Sequence, residues 1–275
     1  MTIDQTPHDQ MPHRLDGKVA VITGAGRGIG EATAHVLAGL GSKIVVLDID
    51  MTTAETVAAS LTDNGADTMA LECDVADEAA VIAAAAAVVE RFGTVDILVN
   101  NAGVISWTPL EKLPSEEWDR VCNVNLRGVF LCTKYFGLPM LEQRSGSIIN
   151  ISSVAGTVPE PNAGAYAATK AGIICLGRQV AVEWGSRGVR CNTVSPGIIQ
   201  TPMSAAFLED PDALAQRMDM VASRRIGTPA ELGQTVAFLA SDTSSFVNGQ
   251  NLEVDGGMMQ MFIKLLPRPG IDMGD

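Results

Sequence analysis

Seven short apolar runs, rich in β-branched residues, alternate with alanine-rich stretches along almost the whole chain: KVAVIT (18–23), KIVVLD (43–48), TMALEC (68–73), VDILVN (95–100), GSIINIS (146–152), VRCNTV (189–194) and NLEV (251–254). Between them the sequence predicts helices near 29–40, 52–64, 77–92, 115–142, 164–186 and 230–241. Strands that are apolar throughout must be covered on both faces, and a helix between each pair returns the chain to start the next strand in the same direction. Together these demands specify an α/β fold, a doubly wound parallel sheet of about seven strands with helices on both faces. With 275 residues, 47% of them hydrophobic, the chain can close such a core as one unit over residues 15–257. The polar stretch 1–14 reads as a flexible tail, and 258–275 as an extension past the last strand.

In such a sheet ligands bind beyond the carboxyl ends of the strands, so the polar residues that fall there are the candidates. Straight after the first run comes TGAGRGIG, with Gly24, Gly26, Gly28 and Gly30 around Arg27 and Ile29, opening a helix. A glycine-rich turn lets backbone N–H groups approach a phosphate, and the helix N-terminus adds partial positive charge. The literal G-x-G-x-x-G pattern is not met, because Ile29 stands at its last position; the strand–turn–helix context carries the reading. Asp48 ends the second run. Its carboxylate can accept hydrogen bonds from an adenosine ribose and would repel a 2′-phosphate, which favours NAD over NADP. It can equally be a turn or capping aspartate, and Arg27 carries the opposite signal as a cation able to pair with that phosphate. Asp74 and Val75 follow the third run at the expected adenine edge. Asn101, Ala102 and Gly103, in NNAG after the fourth run, belong beside the cofactor, although the asparagines can also simply tie loops to strands.

Composition narrows the chemistry. A formal charge of −13 opposes nucleic-acid binding, and the longest apolar run, around 79–89, ends well short of a membrane span. The N-terminus has no apolar core of the signal-peptide kind, so the chain reads as cytoplasmic. Five cysteines at irregular spacings read as reduced core residues. The three histidines, His8, His13 and His35, stand in the tail or inside a helix, which argues against Ser-His-Asp hydrolysis and leaves no metal site to expect. Any acid or base must be another residue. AGAYAATKAG (163–172) offers one: Tyr166 and Lys170 lie four apart, on one helix face, beyond the fifth run. By itself that pair also fits an ordinary surface helix.

Taken in order, TGAGRGIG, NNAG, Asn125 in NVNLRG, NISS ending at Ser153, YAATK and SPGIIQT resemble the motif series of the short-chain dehydrogenases/reductases, over about residues 15–257. The resemblance implies a Rossmann-like enzyme. It implies Tyr166 as proton donor and acceptor, and Lys170 as the group that lowers its pKa and holds the nicotinamide ribose. Ser153, thirteen residues before the tyrosine, would orient the substrate oxygen, and the backbone of Asn125 would hold a water linking Lys170 to solvent. Pro196 and Gly197 resemble the turn over the nicotinamide, with Ile199 and Thr201 near its carboxamide, though a Pro-Gly pair is also a common turn former. Residues 201–226 would form a mobile lid, and the resemblance implies a homotetramer.

The chemistry agrees with these assignments. Taking hydride from a secondary alcohol requires a base at the hydroxyl, and a phenol of pKa near 10 needs nearby cations to serve at neutral pH, a shift of about two to three units. Candidate substrate contacts are Trp107, Val154, Val158 and Glu160, with Met203 and Phe207 from the lid. They suggest a small, mainly hydrophobic or alicyclic alcohol or ketone. Two rivals are an NADPH-dependent reductase of 3-oxoacyl thioesters and a nucleotide-sensing protein that has lost the chemistry.

Overall fold

A computed structural model describes residues 13–265. Seven strands, β1 (Val19–Thr23), β2 (Lys43–Asp48), β3 (Thr68–Glu72), β4 (Ile97–Asn100), β5 (Gly146–Ile151), β6 (Val189–Pro196) and β7 (Asn251–Val254), form one sheet. All neighbours run parallel, in the order β3-β2-β1-β4-β5-β6-β7. Nine helices are described: α1 (Gly28–Gly39), α2 (Met51–Asp63), α3 (Glu78–Phe92), α4 (Ser115–Cys122), α5 (Gly128–Gln143), α6 (Ala165–Trp184), α7 (Ala205–Leu208), α8 (Pro211–Asp219) and α9 (Pro229–Ala240).

The two-residue period of the strands sorts the core into two layers. Ala20, Ile22, Ile44 and Val46 face α1, α2 and α9, where Leu37, Leu61 and Leu232 are buried. Their chain neighbours Val19, Val21, Val45 and Leu47 face the other way, onto Val88 of α3, Phe136 of α5 and Val180 of α6. The strand order reverses between β1 and β4, so the loops leaving these two strands diverge and open a crevice between them. TGAGRGIG and NNAG are those loops.

The structure departs from the sequence reading in four places. The helix expected at 115–142 is two helices joined by a π turn over Asn123–Arg127, where the Gly128 N–H bonds the Asn123 carbonyl. Strand β6 continues to Pro196, which it can do because proline is its last residue. The segment 201–226 contains α7 and α8, the second started by Asp210, whose carboxylate accepts from the N–H groups of Asp212 and Ala213, with Pro211 next in line. Cys73, Cys132 and Cys191 are buried as expected, whereas Cys175 is exposed on α6; none is bridged. Residues 1–12 and 266–275 of the expected tail and extension lie outside the described residues. His13 is tied down, with Nδ1 3.0 Å from the Thr243 hydroxyl and its ring edge-on to Phe238. No helix among the described residues is long and apolar enough to cross a membrane.

Candidate active site

At the crevice the glycine turn is built to leave no room for side chains. A Cβ on Gly24 would lie 2.9 Å from Ala102 Cα, and one on Gly30 2.3 Å from the Gly24 carbonyl oxygen. Gly28, at φ +64°, instead faces a gap, with Pro202 and Thr201 the nearest atoms across it at 3.6 and 3.8 Å. Helix α1 starts after Arg27, a residue with no capping side chain, so the first N–H groups of the helix have neither an intrahelical acceptor nor a side-chain cap. By contrast, α2 and α3 are capped by Asp50 and Asp77. An uncapped N-terminus over an open slot suits a pyrophosphate, so these residues fit a dinucleotide.

Asp48 is buried and holds the turn itself: its two oxygens accept from the N–H groups of Gly26 at 2.8 Å and Asp50 at 3.1 Å. The turn function considered for it is therefore real, and it fixes the carboxylate at the end of β2. Arg27 is exposed and makes no ion pair among the described residues. Asn101 also ties loops, donating from Nδ2 to the carbonyls of Thr23 and Gly24, both at 2.9 Å. The Thr23 hydroxyl, which sequence reasoning passed over, accepts from the N–H groups of both Asn101 and Ala102 at 3.0 Å and so locks the two loops together. Asp74 bonds the Ala76 N–H at 2.9 Å, and Val75 is buried, which leaves main-chain groups as its means of contact with a ligand.

The catalytic candidates converge. Ser153 follows β5; its hydroxyl accepts from the Ala155 N–H at 3.1 Å and is near enough to the Tyr166 phenol to favour the phenolate. Ser152 is buried with its hydroxyl on the Lys170 carbonyl at 2.8 Å, a structural tie to α6. Lys170 is buried, its Nζ donating to the Ile151 carbonyl at 2.8 Å and lying 5.4 Å from the centre of the Tyr166 ring. A Cβ on Gly103 would lie 3.6 Å from that Nζ and 3.4 Å from Asn125 Oδ1, so NNAG, the π turn and the lysine meet at one point. The Asn125 side chain is fully engaged, accepting from the Val104 N–H and donating to its carbonyl, both at 2.8 Å. Only the main chain of the π turn is left to act there, and such turns are frequent at functional sites.

The electrostatics correct one expectation. Burial and the neighbouring Glu160 carboxylate push the Tyr166 phenol above its ordinary value, and the Ser153 hydrogen bond only partly opposes them. Burial also brings Lys170 down to about 8. The protein's own groups thus keep the phenol neutral and leave Lys170 a destabilised ammonium at pH 7, and Lys170 alone does not activate the tyrosine.

Residues 24–259 match the family model described as enoyl-(acyl carrier protein) reductase. Over 89% of its length the chain is 42% identical to D-threitol dehydrogenase of Mycolicibacterium smegmatis, covering 94% of that protein. The chain belongs to the short-chain dehydrogenase/reductase family. It is also 41% identical to a 3-oxoacyl-[acyl-carrier-protein] reductase of Synechocystis, with 89% of this chain and 98% of that one covered. Among solved structures, a gluconate 5-dehydrogenase from Burkholderia cenocepacia, in complex with NADP and tartrate, superposes with a TM-score of 0.87 at 37% identity, covering 90% of this chain and 98% of that one. As a member of this family the chain is a dinucleotide-dependent oxidoreductase acting on small molecules.

The remaining candidate residues lie on the loops above the sheet. Pro196 ends β6 and Gly197 packs so closely on Asp255 that a Cβ would come within 2.8 Å of its backbone. The Ile199 side chain is buried in the core and its carbonyl accepts from Ser204, leaving its N–H for a ligand. Val154 begins the short helical turn after Ser153. Val158 and Met203 are more than half exposed. Trp107 meets Phe207 edge-on at 5.6 Å between ring centres, joining the NNAG loop to the lid segment. Arg217 of α8, which the sequence reading did not single out, lies 4.9 Å over the Phe207 ring. The Asp210–Pro211 start signal was the one cue that a helix would carry it there.

Proposed function

We propose that this enzyme interconverts a secondary alcohol and its ketone with NAD(H), and that Tyr166 is its general acid/base. The reading is carried by the convergence of Ser153, Tyr166 and Lys170 beyond β5, beside a crevice that fits a dinucleotide. When bound, the dinucleotide takes or gives the hydride and, oxidised, brings a positive charge. Ser153 would orient the substrate oxygen, the Tyr166 phenolate would take the hydroxyl proton as the carbonyl forms, and Lys170 would hold the nicotinamide ribose. Protons would leave past Lys170 through water held by the π-turn backbone at Asn125. Because protein groups alone leave the phenol above its usual pKa, phenolate forms only when the added cation outweighs burial and Glu160. A panel of cyclic, aromatic and aliphatic secondary alcohols with NAD, followed by NADH absorbance, tests this; no turnover of any would overturn it.

Asp48 supports NAD as the cofactor, since its carboxylate is fixed where a 2′-phosphate would meet like charge. NADH is expected to bind at least about tenfold more tightly than NADPH, about 1.4 kcal/mol, by titration of cofactor fluorescence. The reverse preference would favour the second reading, an NADPH-dependent 3-oxoacyl thioester reductase, for which exposed Arg27 and the Synechocystis relative speak.

Residues 201–226 would act as the lid, over a small substrate with a hydrophobic or alicyclic body. We also infer a homotetramer of one-domain subunits: Phe130 and Leu138 on α5 and Val182 on α6 are exposed, an apolar surface suited to a second copy. Light scattering is expected to give a tetramer mass, and a monomer would count against this. A cytoplasmic location remains part of the same proposal.

A further inference from the structure

Ser204 stands directly before α7, where a serine ordinarily accepts from the first N–H groups of the helix it starts. Its side chain does not cap α7. It turns back instead: Oγ accepts from the Thr201 N–H at 3.0 Å and donates to the Ile199 carbonyl at 2.7 Å, with the Thr201 carbonyl, at 3.1 Å, the other acceptor within reach. The Ser204 N–H also bonds the Thr201 carbonyl at 3.1 Å, so residues 199–204 close into one tight turn. Main-chain bonds fix the stem of that turn, Gln200 donating to the Gly227 carbonyl at 2.9 Å and Gly227 to the Ile198 carbonyl at 3.0 Å. Its tip lies over the glycine slot, where Pro202 and Thr201 are the nearest atoms across the gap from Gly28. A side chain is thus withdrawn from helix capping to shape a loop that faces the dinucleotide crevice.

We propose that Ser204 is a positioning residue for the cofactor: it sets the direction of the Thr201 hydroxyl and, through it, the fit of the nicotinamide carboxamide. The proposal rests on the reading that Ile199 and Thr201 meet that carboxamide. A hydroxyl has one proton to give and two lone pairs. Both carbonyls beside Ser204 Oγ only accept, so its proton goes to one of them, and toward Thr201 the oxygen is an acceptor. The Thr201 hydroxyl, 3.3 Å away, then gives its own proton to Ser204. Its remaining lone pairs are left to accept from a ligand. The Ile199 N–H, for its part, has no acceptor among the described residues. The loop therefore offers one donor and one acceptor, the complement of a primary amide, whose carbonyl accepts and whose NH2 donates. Without the Ser204 hydroxyl the Thr201 proton is free to swing toward the ligand, where it would face the amide's own N–H groups.

Binding of three ligands tests this: NADH, its 3-acetylpyridine analogue, which keeps the carbonyl and has a methyl group in place of the NH2, and ADP-ribose, which has no nicotinamide. Dissociation constants come from fluorescence titration for the two dinucleotides and from calorimetry for ADP-ribose. The wild type is expected to bind NADH about fivefold to tenfold more tightly than the analogue, the worth of one hydrogen bond. Ser204→Ala and Thr201→Val should each bring that ratio to about unity, and combining them should change it no further, because both remove the same contact. Ser204→Thr keeps the hydroxyl and should keep the wild-type ratio. ADP-ribose should bind every variant as it binds the wild type. A wild-type ratio in S204A would overturn the proposal and leave the carboxamide reading standing. Equal affinity of the wild type for the two dinucleotides would overturn both. An equal loss of NADH and ADP-ribose affinity in S204A would also overturn the proposal, since the serine would then only hold the loop in shape.

Discussion

Tyr166→Phe is expected to lower kcat for alcohol oxidation by about 10²–10⁴-fold, the usual worth of a positioned proton acceptor, or roughly 3–5 kcal/mol of barrier. The substitution removes one oxygen and keeps the ring, whose packing beside Lys170 holds the helix against the NNAG loop. Ser153 cannot take over, because among the described residues its hydroxyl is bonded only by the Ala155 N–H and has no base to take its proton. Lys170 cannot take over either, since its Nζ is buried on the Ile151 carbonyl. NADH should still bind, weakened by no more than about tenfold, the worth of one hydrogen bond. Stopped-flow absorbance with a substrate from the alcohol panel separates the two effects. Wild-type rates in Y166F would mean that proton transfer goes elsewhere.

How much of this was legible in the chain depends on what kind of physics each feature uses. The strands were read to within a residue or two because a buried parallel strand must be apolar on both sides, and KVAVIT or KIVVLD has no other use. The glycine turn was legible for a similar reason, since its glycines are demanded by backbone approach within TGAGRGIG itself. The π turn at Asn123–Arg127 was not, because one added residue in a helix leaves no mark on a 3.6-residue period. Thr23 and Arg217 were missed because their importance is tertiary: one hydroxyl bridges residues almost eighty positions away, and the other side chain matters through Phe207. What the protein's own groups do to Tyr166 was likewise not legible. Spacing shows that a lysine is near, but burial of both groups sets the sign.

Lys170→Met should abolish the activity and yet make the protein more stable at pH 7, with the gain disappearing as the pH rises. Burial takes the lysine from 10.5 down to about 8 in the folded chain. Between these values the unfolded chain binds more protons than the folded one, so wild-type stability rises with pH through that window. Below it the wild type carries the whole penalty, about 3 kcal/mol for a shift of that size. Methionine has similar length and no charge, so it removes the penalty. It also removes the hydrogen bond to the Ile151 carbonyl, and an unmatched buried carbonyl costs roughly 1–3 kcal/mol. The first effect is larger at pH 7, leaving a net gain of about 1 kcal/mol. Near pH 10.5 only the second survives, and the variant should be the less stable of the two. The difference in Tm between variant and wild type should therefore swing by roughly 6 °C from pH 7 to pH 10.5, measured by differential scanning calorimetry at one protein concentration. A difference that stays constant across this range would mean that the lysine is not held against its charge. A buried amine that lowers stability at neutral pH and lies 5.4 Å from the centre of the phenol ring is what proton chemistry at this site requires, and what packing alone would not retain.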